Sequence, residues 1–245
     1  MVDFNNAAGR LYTLLNELRS KNKAMTIQHA FAEMFDVDKK DIEKLVALKT
    51  EIIQLTADAK QLILKQTVDH DLYLKPFIKI QRVFALGLDH PIQNIIELLD
   101  DSTMARLEHC AELLSRNVKE SQIEDTVLQQ LLNNIIDLEK SVAKSTLSDE
   151  LKSLILDNLF EIKKSIDYYQ IHGTQGIEKA VKNTFGSVQY FTINNPIINI
   201  SNEADKKVIF DYTEFIANII TIVSAGLNAP LLVEKITGFL LGSGK

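Results

Sequence analysis

Residues 38–66 read DKKDIEKLVALKTEIIQLTADAKQLILKQ, and this stretch decides the fold class. It contains neither glycine nor proline, and Ile42, Leu45, Val46, Ile52, Ile53, Ala59, Leu62 and Ile63 recur with helical spacing. At 1.5 Å per residue the run extends about 43 Å as one helix. Its apolar residues form a near-heptad stripe, so the segment reads as a continuous principal helix in the centre of a bundle. Lys39, Lys40 and Lys44 are interleaved with Asp38, Asp41 and Glu43, the pattern of a solvated helix face rather than a basic patch.

The same period continues on both sides. Leu11, Leu14, Leu15 and Leu18 share a face within 3–20, as do Ile27, Ala30, Phe31 and Met34 within 26–35. Pro76 is tolerated in a first helical turn, which predicts a helix starting near Lys75 and running to Leu88. Asp89, His90 and Pro91 mark a boundary before 92–99, and Ser102 is placed to cap 104–117. Ser121 and Glu124 form a capping-box pattern ahead of Val127, Leu128, Leu131, Ile135, Leu138 and Val142. Ser148 opens the next helix, whose buried face is Leu151, Leu154, Ile155, Leu159, Ile162 and Ile166, and which is expected to end at Gly173. A short helix over 175–185 should stop at Gly186. Residues 188–201, centred on Asn194, Asn195 and Pro196, then read as either two short strands around a turn or an extended linker.

Four prolines and nine glycines in 245 residues, with 46% apolar residues, suit an all-α multi-helix bundle that folds without staples. The expected organisation is a helical bundle domain over 1–187, a linker over 188–202 and an apolar C-terminal helical hairpin over 203–245. A formal charge of −6 argues against a protein that works by neutralising phosphates, so nucleic acid is a poor partner. The single cysteine, Cys110, allows no intramolecular disulfide and no cysteine-based zinc site. The amino terminus lacks the basic start and apolar block of a secretory signal, and the chain reads as cytoplasmic.

The carboxyl-terminal segment carries the functional expectation. From Phe215 to Val233 there is no charge, and a further apolar stretch reaches Leu241. A helix over 203–224 is amphipathic, with Val208, Ile209, Tyr212, Phe215, Ile216, Ile219, Ile220 and Val223 on one face and Asp211, Glu214, Asn218 and Thr221 on another. Gly226, Asn228 and Pro230 interrupt the run. The helix beyond, Pro230 to Leu241, is about 18 Å long against a hydrocarbon core of about 30 Å, which disfavours a single-span anchor. Three roles are open to the hairpin: packing on the bundle, joining subunits, or entering a membrane after a trigger. The residues expected to contact a partner or a bilayer are Phe215, Ile216, Ile219, Ile220, Val223, Leu231, Leu232, Ile236, Phe239 and Leu240.

No catalytic, metal-binding or cofactor-binding residue can be nominated. His29, His70, His90, His109 and His172 form neither HExxH nor the Glu-x-x-His spacing of di-metal bundles. Asp69, His70 and Asp71 are ligand-like in type but read as a loop or cap. His109 and Cys110 point about 100° apart on a helix, too far for a nucleophile and its base. Gly173-Thr174-Gln175-Gly176 resembles a KH-domain loop without the strands that fold requires, and the terminal Gly242-Ser243-Gly244-Lys245 lacks the helix of a phosphate loop.

Asn5-Asn6-Ala7-Ala8-Gly9-Arg10-Leu11, His29-Ala30-Phe31-Ala32-Glu33-Met34-Phe35 and Ile166-Asp167-Tyr168-Tyr169-Gln170-Ile171-His172-Gly173 resemble segments of uncharacterised helical proteins from bacterial mobile elements and phage-defence islands. The resemblance implies a role in phage defence and transfers no functional residue. The expected function is a non-enzymatic helical interaction or assembly protein that uses the C-terminal hairpin for self-association or for docking another protein. The alternative is a membrane-active effector whose hairpin, through 203–241, perturbs the bacterial inner membrane when triggered.

Overall fold

The computed structural model describes residues 5–117, 120–195, 200, 202–223 and 238. Among them are ten helices and no strands: α1 (Ala7–Ser20), α2 (Ile27–Met34), α3 (Ile42–Leu64), α4 (His70–Ala85), α5 (Ile92–Leu98), α6 (Asp101–Asn117), α7 (Asp125–Lys144), α8 (Asp149–Asp167), α9 (Tyr169–Asn194) and α10 (Glu203–Val223). The chain divides into two compact units, residues 1–120 and 121–245.

In the first unit α1 packs on α3 and α6, and α4 packs on α3 and α6. Its core is built from Leu11, Leu15 and Leu18 of α1, Leu45, Leu48, Ile52 and Leu55 of α3, Phe77 and Ile80 of α4, and Leu107 and Leu114 of α6. The long helix is uninterrupted, as its composition predicts, but it begins at Ile42, because the Asp41 side chain accepts the Lys44 N–H and caps it. The expected single stripe resolves into two faces. Leu45, Leu48, Ile52, Leu55, Ala59 and Ile63 are buried, whereas Ile42, Val46, Ile53 and Leu64 stay 47%, 48%, 43% and 39% exposed.

Helix α4 starts well before Lys75, because Asp69 accepts the N–H groups of Asp71 and Leu72. Pro76 therefore lies inside the helix and not in its first turn, removing the N–H that would bond back to Leu72. Ser102 is likewise not the cap of α6. The Asp100 carboxylate takes that role, accepting from Thr103 N at 2.8 Å and Thr103 Oγ1 at 2.7 Å. Its other oxygen meets Lys79 Nζ of α4. The Lys79 hydrogen bond, followed by those from Thr103, holds the Asp100 carboxyl well below the usual carboxylate range.

The second unit is a four-helix arrangement in which α7 packs on α8, α8 on α9, α9 on α10 and α10 back on α7. Ser148 caps α8 through the Leu151 N–H at 3.3 Å, as its sequence indicates. The Ser121–Glu124 capping box does not form, and α7 begins at Asp125. The competing interaction is tertiary: Ile123 is buried and donates its N–H to the Tyr169 hydroxyl at 2.8 Å, which fixes the preceding residues outside the helix.

Helix α8 ends at Asp167, before Gly173, and the glycine instead forms a kink inside α9 with φ 60° and ψ −158°, a conformation open to glycine alone. A Cβ on Gly176 would lie 2.6 Å from the Cβ of His172, so the second glycine of the GxxG pattern permits close packing in a helix. Gly186 does not stop α9, which continues to Asn194. Residues 188–194 are thus helical, neither strand nor linker, because Val188 is buried and Phe191 packs against the core. Residues 196–199 and 201 lie outside the described residues.

Candidate interaction site

The apolar face expected to serve a partner begins on α10. Phe215, Ile216, Ile219, Ile220 and Val223 are all buried in the core of the second unit, beside Ile135 and Leu138 of α7, Ile155 and Ile162 of α8, and Val181 and Val188 of α9. Leu231, Leu232, Ile236, Phe239 and Leu240 lie outside the described residues. Among the described residues no helix is long and apolar enough to cross a membrane.

Polar side chains fix α10 in this position. Asp205, buried at its first turn, accepts from Thr146 N at 2.9 Å and Thr146 Oγ1 at 2.5 Å in the α7–α8 connection. Deeper in, Asn158 Nδ2 of α8 donates to the Tyr212 hydroxyl of α10 at 3.1 Å, and Ser187 Oγ of α9 donates to Asn158 Oδ1 at 2.8 Å. Burial raises the Tyr212 phenol far above its ordinary value, with the Asn158 hydrogen bond a smaller opposing effect. The hydroxyl is therefore a neutral structural link among three helices. Tyr212→Phe leaves the buried Asn158 amide without its acceptor, and the expected loss is about 1–3 kcal/mol of unfolding free energy, measured as a lower urea midpoint.

The titratable groups singled out in the sequence are separated by the fold. Cys110 is buried on α6, donates its thiol to the Tyr73 carbonyl at 3.3 Å and is pushed up to about 12 by burial, which suppresses the nucleophilic thiolate. His109 is exposed and pairs with Glu112 at 3.3 Å, not with Cys110. Asp69 is occupied as the α4 cap, and His70 Nε2 meets the Gln66 carbonyl at 2.9 Å. Among the described residues no group of three or more His, Cys, Asp or Glu is arranged to hold a metal ion.

Among the described residues, three surface features stand apart from these groups. An open groove of about 570 Å³ separates α7 from α10, with Asn134, Asp137 and Ser141 on one wall and Asp211, Glu214 and Asn218 on the other. A smaller cavity of about 330 Å³ lies between α4 and α6. The third is the exposed row of Ile42, Val46, Ile53 and Leu64 on one side of α3, with Lys49 and Lys60 between them on the same side.

No known family model, curated protein or solved structure matches the chain.

The functional reading therefore rests on these surfaces alone. The α3 row shares its exposure with apolar side chains on other helices such as Ile78, Phe160 and Phe210, but it places four branched aliphatic side chains on one side of one helix, and these gain free energy on leaving water, at roughly 25 cal/mol per Å². Its residues belong to the stretch that decided the fold. Helical angles alone could have divided that stretch, because 42, 46, 53 and 64 fall within about 40° of one another at 100° per residue, while 45, 52 and 63 cluster about 60–120° away.

Proposed function

We propose that the protein is a non-enzymatic helical assembly protein that associates with a second copy of itself through the exposed face of α3. The observation that carries this reading is the unpartnered apolar row of Ile42, Val46, Ile53 and Leu64 on an otherwise well-packed helix. The choice of occupant rests on charge. When two copies of α3 are laid antiparallel with Ile53 against Ile53, Ile42 comes opposite Leu64, and Val46 comes opposite the aliphatic stem of Lys60. Asp41 at one end then lies opposite Lys65 at the other, and the two helix dipoles oppose favourably. The face is self-complementary, as a two-fold interface requires.

This reading moves the contact surface from the C-terminal hairpin to α3, because Phe215, Ile216, Ile219, Ile220 and Val223 are already used inside the second unit. Phage defence as a setting rests on the sequence resemblance. The 23 residues of α3 give a helix of about 34 Å, and a helix pair of that length reaches the lower end of specific interfaces, about 1,200 Å² in total.

Light scattering coupled to size-exclusion chromatography, run from about 1 to about 100 μM, should show a monomer giving way to a dimer. Ile53→Lys places two ammonium groups together at the dyad and should weaken the dimer by about 100-fold or more. Its circular dichroism and melting temperature should stay at the wild-type values, since Ile53 is exposed in one copy. A wild-type monomer across that range, or an Ile53→Lys dimer of unchanged affinity, would refute the proposal.

A further inference from the structure

We infer that the outer surface of the α7–α8 pair is a separate contact face for a second copy of this chain, in which α7 of each copy lies antiparallel on α8 of the other. Contacts within the second unit fix which sides of the two helices form that surface. Asn158 of α8 reaches Ser187 of α9 and Tyr212 of α10, so the opposite side of α8, with Lys152, Leu156, Phe160 and Lys163, turns towards α7 and solvent. On α7, Asn134, Asp137 and Ser141 line the groove against α10, which leaves Leu132, Ile136 and Glu139 on the side next to α8.

Apolar side chains stand in the middle of this surface. Phe160 is 60% exposed and Ile136 is 38% exposed, while Leu132 and Leu156 are partly buried beside them. One aromatic ring and three branched side chains on adjoining helices make a single patch, and patches of this kind mark contact sites.

Charge selects a second copy as the occupant and sets its orientation. The two helices are antiparallel and joined through residues 145–148, so Glu139 lies within about 3 Å of the level of Lys152 along the axis, and Leu132 lies near the level of Phe160. Neither Glu139 nor Lys152 has a side-chain partner among the described residues. A dyad parallel to the helices stacks α7 of each copy on α8 of the other. It sets Leu132 and Ile136 against Phe160 and Leu156 of the second copy, brings Glu139 to its Lys152 twice over, and opposes the dipoles of the stacked helices. A dyad across the helices would stack α8 on α8 and bring Lys152 towards Lys163 and Lys164 of the second copy, a like-charge contact.

This contact is independent of the α3 face. With both in use each copy carries two different two-fold contacts, so copies add beyond a dimer. The α7–α8 patch is small and belongs with weak interfaces under about 1,200 Å², which form near millimolar protein, above the range in which the α3 pair assembles.

The test is sedimentation equilibrium of the full chain carrying Ile53→Lys, which removes the α3 contact. Its mass should rise from monomer towards dimer between about 0.05 and about 1 mM. In that background Phe160→Lys should weaken association by about tenfold or more at an unchanged melting temperature, since the ring stands in water in one copy. Glu139→Lys and Lys152→Glu should each weaken it by about tenfold or more, because like charges then meet across the dyad. An equimolar mixture of these two charge variants should associate where neither does alone, since both cross-copy pairs are restored. Ile53→Lys protein that stays monomeric throughout, a mixture no more associated than its components, or a Phe160→Lys protein that melts early because its own chain covers the ring would overturn the inference. None of these results depends on the α3 dimer, whose own failure is a wild-type monomer at micromolar concentration.

Discussion

Ile219→Lys is expected to unfold the second unit rather than to alter assembly. Ile219 is fully buried among side chains of the α7–α10 core. Substitution removes an apolar contact worth about 2–5 kcal/mol and places an ammonium among buried apolar side chains. The sum approaches the entire stability of a typical domain, about 5–15 kcal/mol. Amide hydrogen exchange should show α7 to α10 losing protection while α1 to α6 retain theirs. Normal protection with a changed oligomeric state would instead make the α10 face an interface between subunits.

Deletion of residues 203–245 should have a comparable or larger effect. The sequence suggests that a linker separates the hairpin from a self-sufficient bundle, and on that view the shortened chain stays folded. In the structure α10 is the fourth helix of the second unit, and seven of its apolar side chains, Ile209, Tyr212, Phe215, Ile216, Ile219, Ile220 and Val223, are buried there. Burial stabilises at roughly 1.5–3 kcal/mol for each such side chain, so removing all seven eliminates an amount on the order of a domain's whole stability. The loss also uncovers the faces of α7 and α9 that carry Leu138 and Val188. The shortened protein should aggregate or bind hydrophobic dye, with reduced helicity, in sedimentation and circular dichroism. A monodisperse species with the remaining helices intact would show that three helices suffice.

Most of the helical content is legible in the sequence because apolar period and capping chemistry are local properties. Ser148 and the glycine-free run of α3 illustrate this. The misplacements arise where a distant residue outbids a local signal. Ser121 and Glu124 have the right spacing for a capping box, but the Tyr169 hydroxyl takes the Ile123 amide first. Gly173 and Gly186 carry the same stop signal in sequence, yet one forms a kink and the other is carried through the helix, since packing of Val188 stabilises the continuation.

The candidate sites were visible to different degrees. The amphipathic character of α10 is plain, but periodicity cannot tell a face buried against its own chain from one reserved for a partner. On α3 two apolar faces overlap in one heptad-like row, and only the neighbouring helices decide which of them stays in water.

Cys110 gives the chain a built-in clock for its own opening. The single thiol of the whole sequence sits in the first unit, enclosed by the core and held to the Tyr73 carbonyl, so a disulfide reagent can react only when α4 and α6 part. At high reagent concentration the labelling rate equals the rate of that parting, and at low concentration it reports how often the open form is visited. The second unit contributes no sulfhydryl background, so the breathing of one half of the molecule can be timed in the unmodified protein.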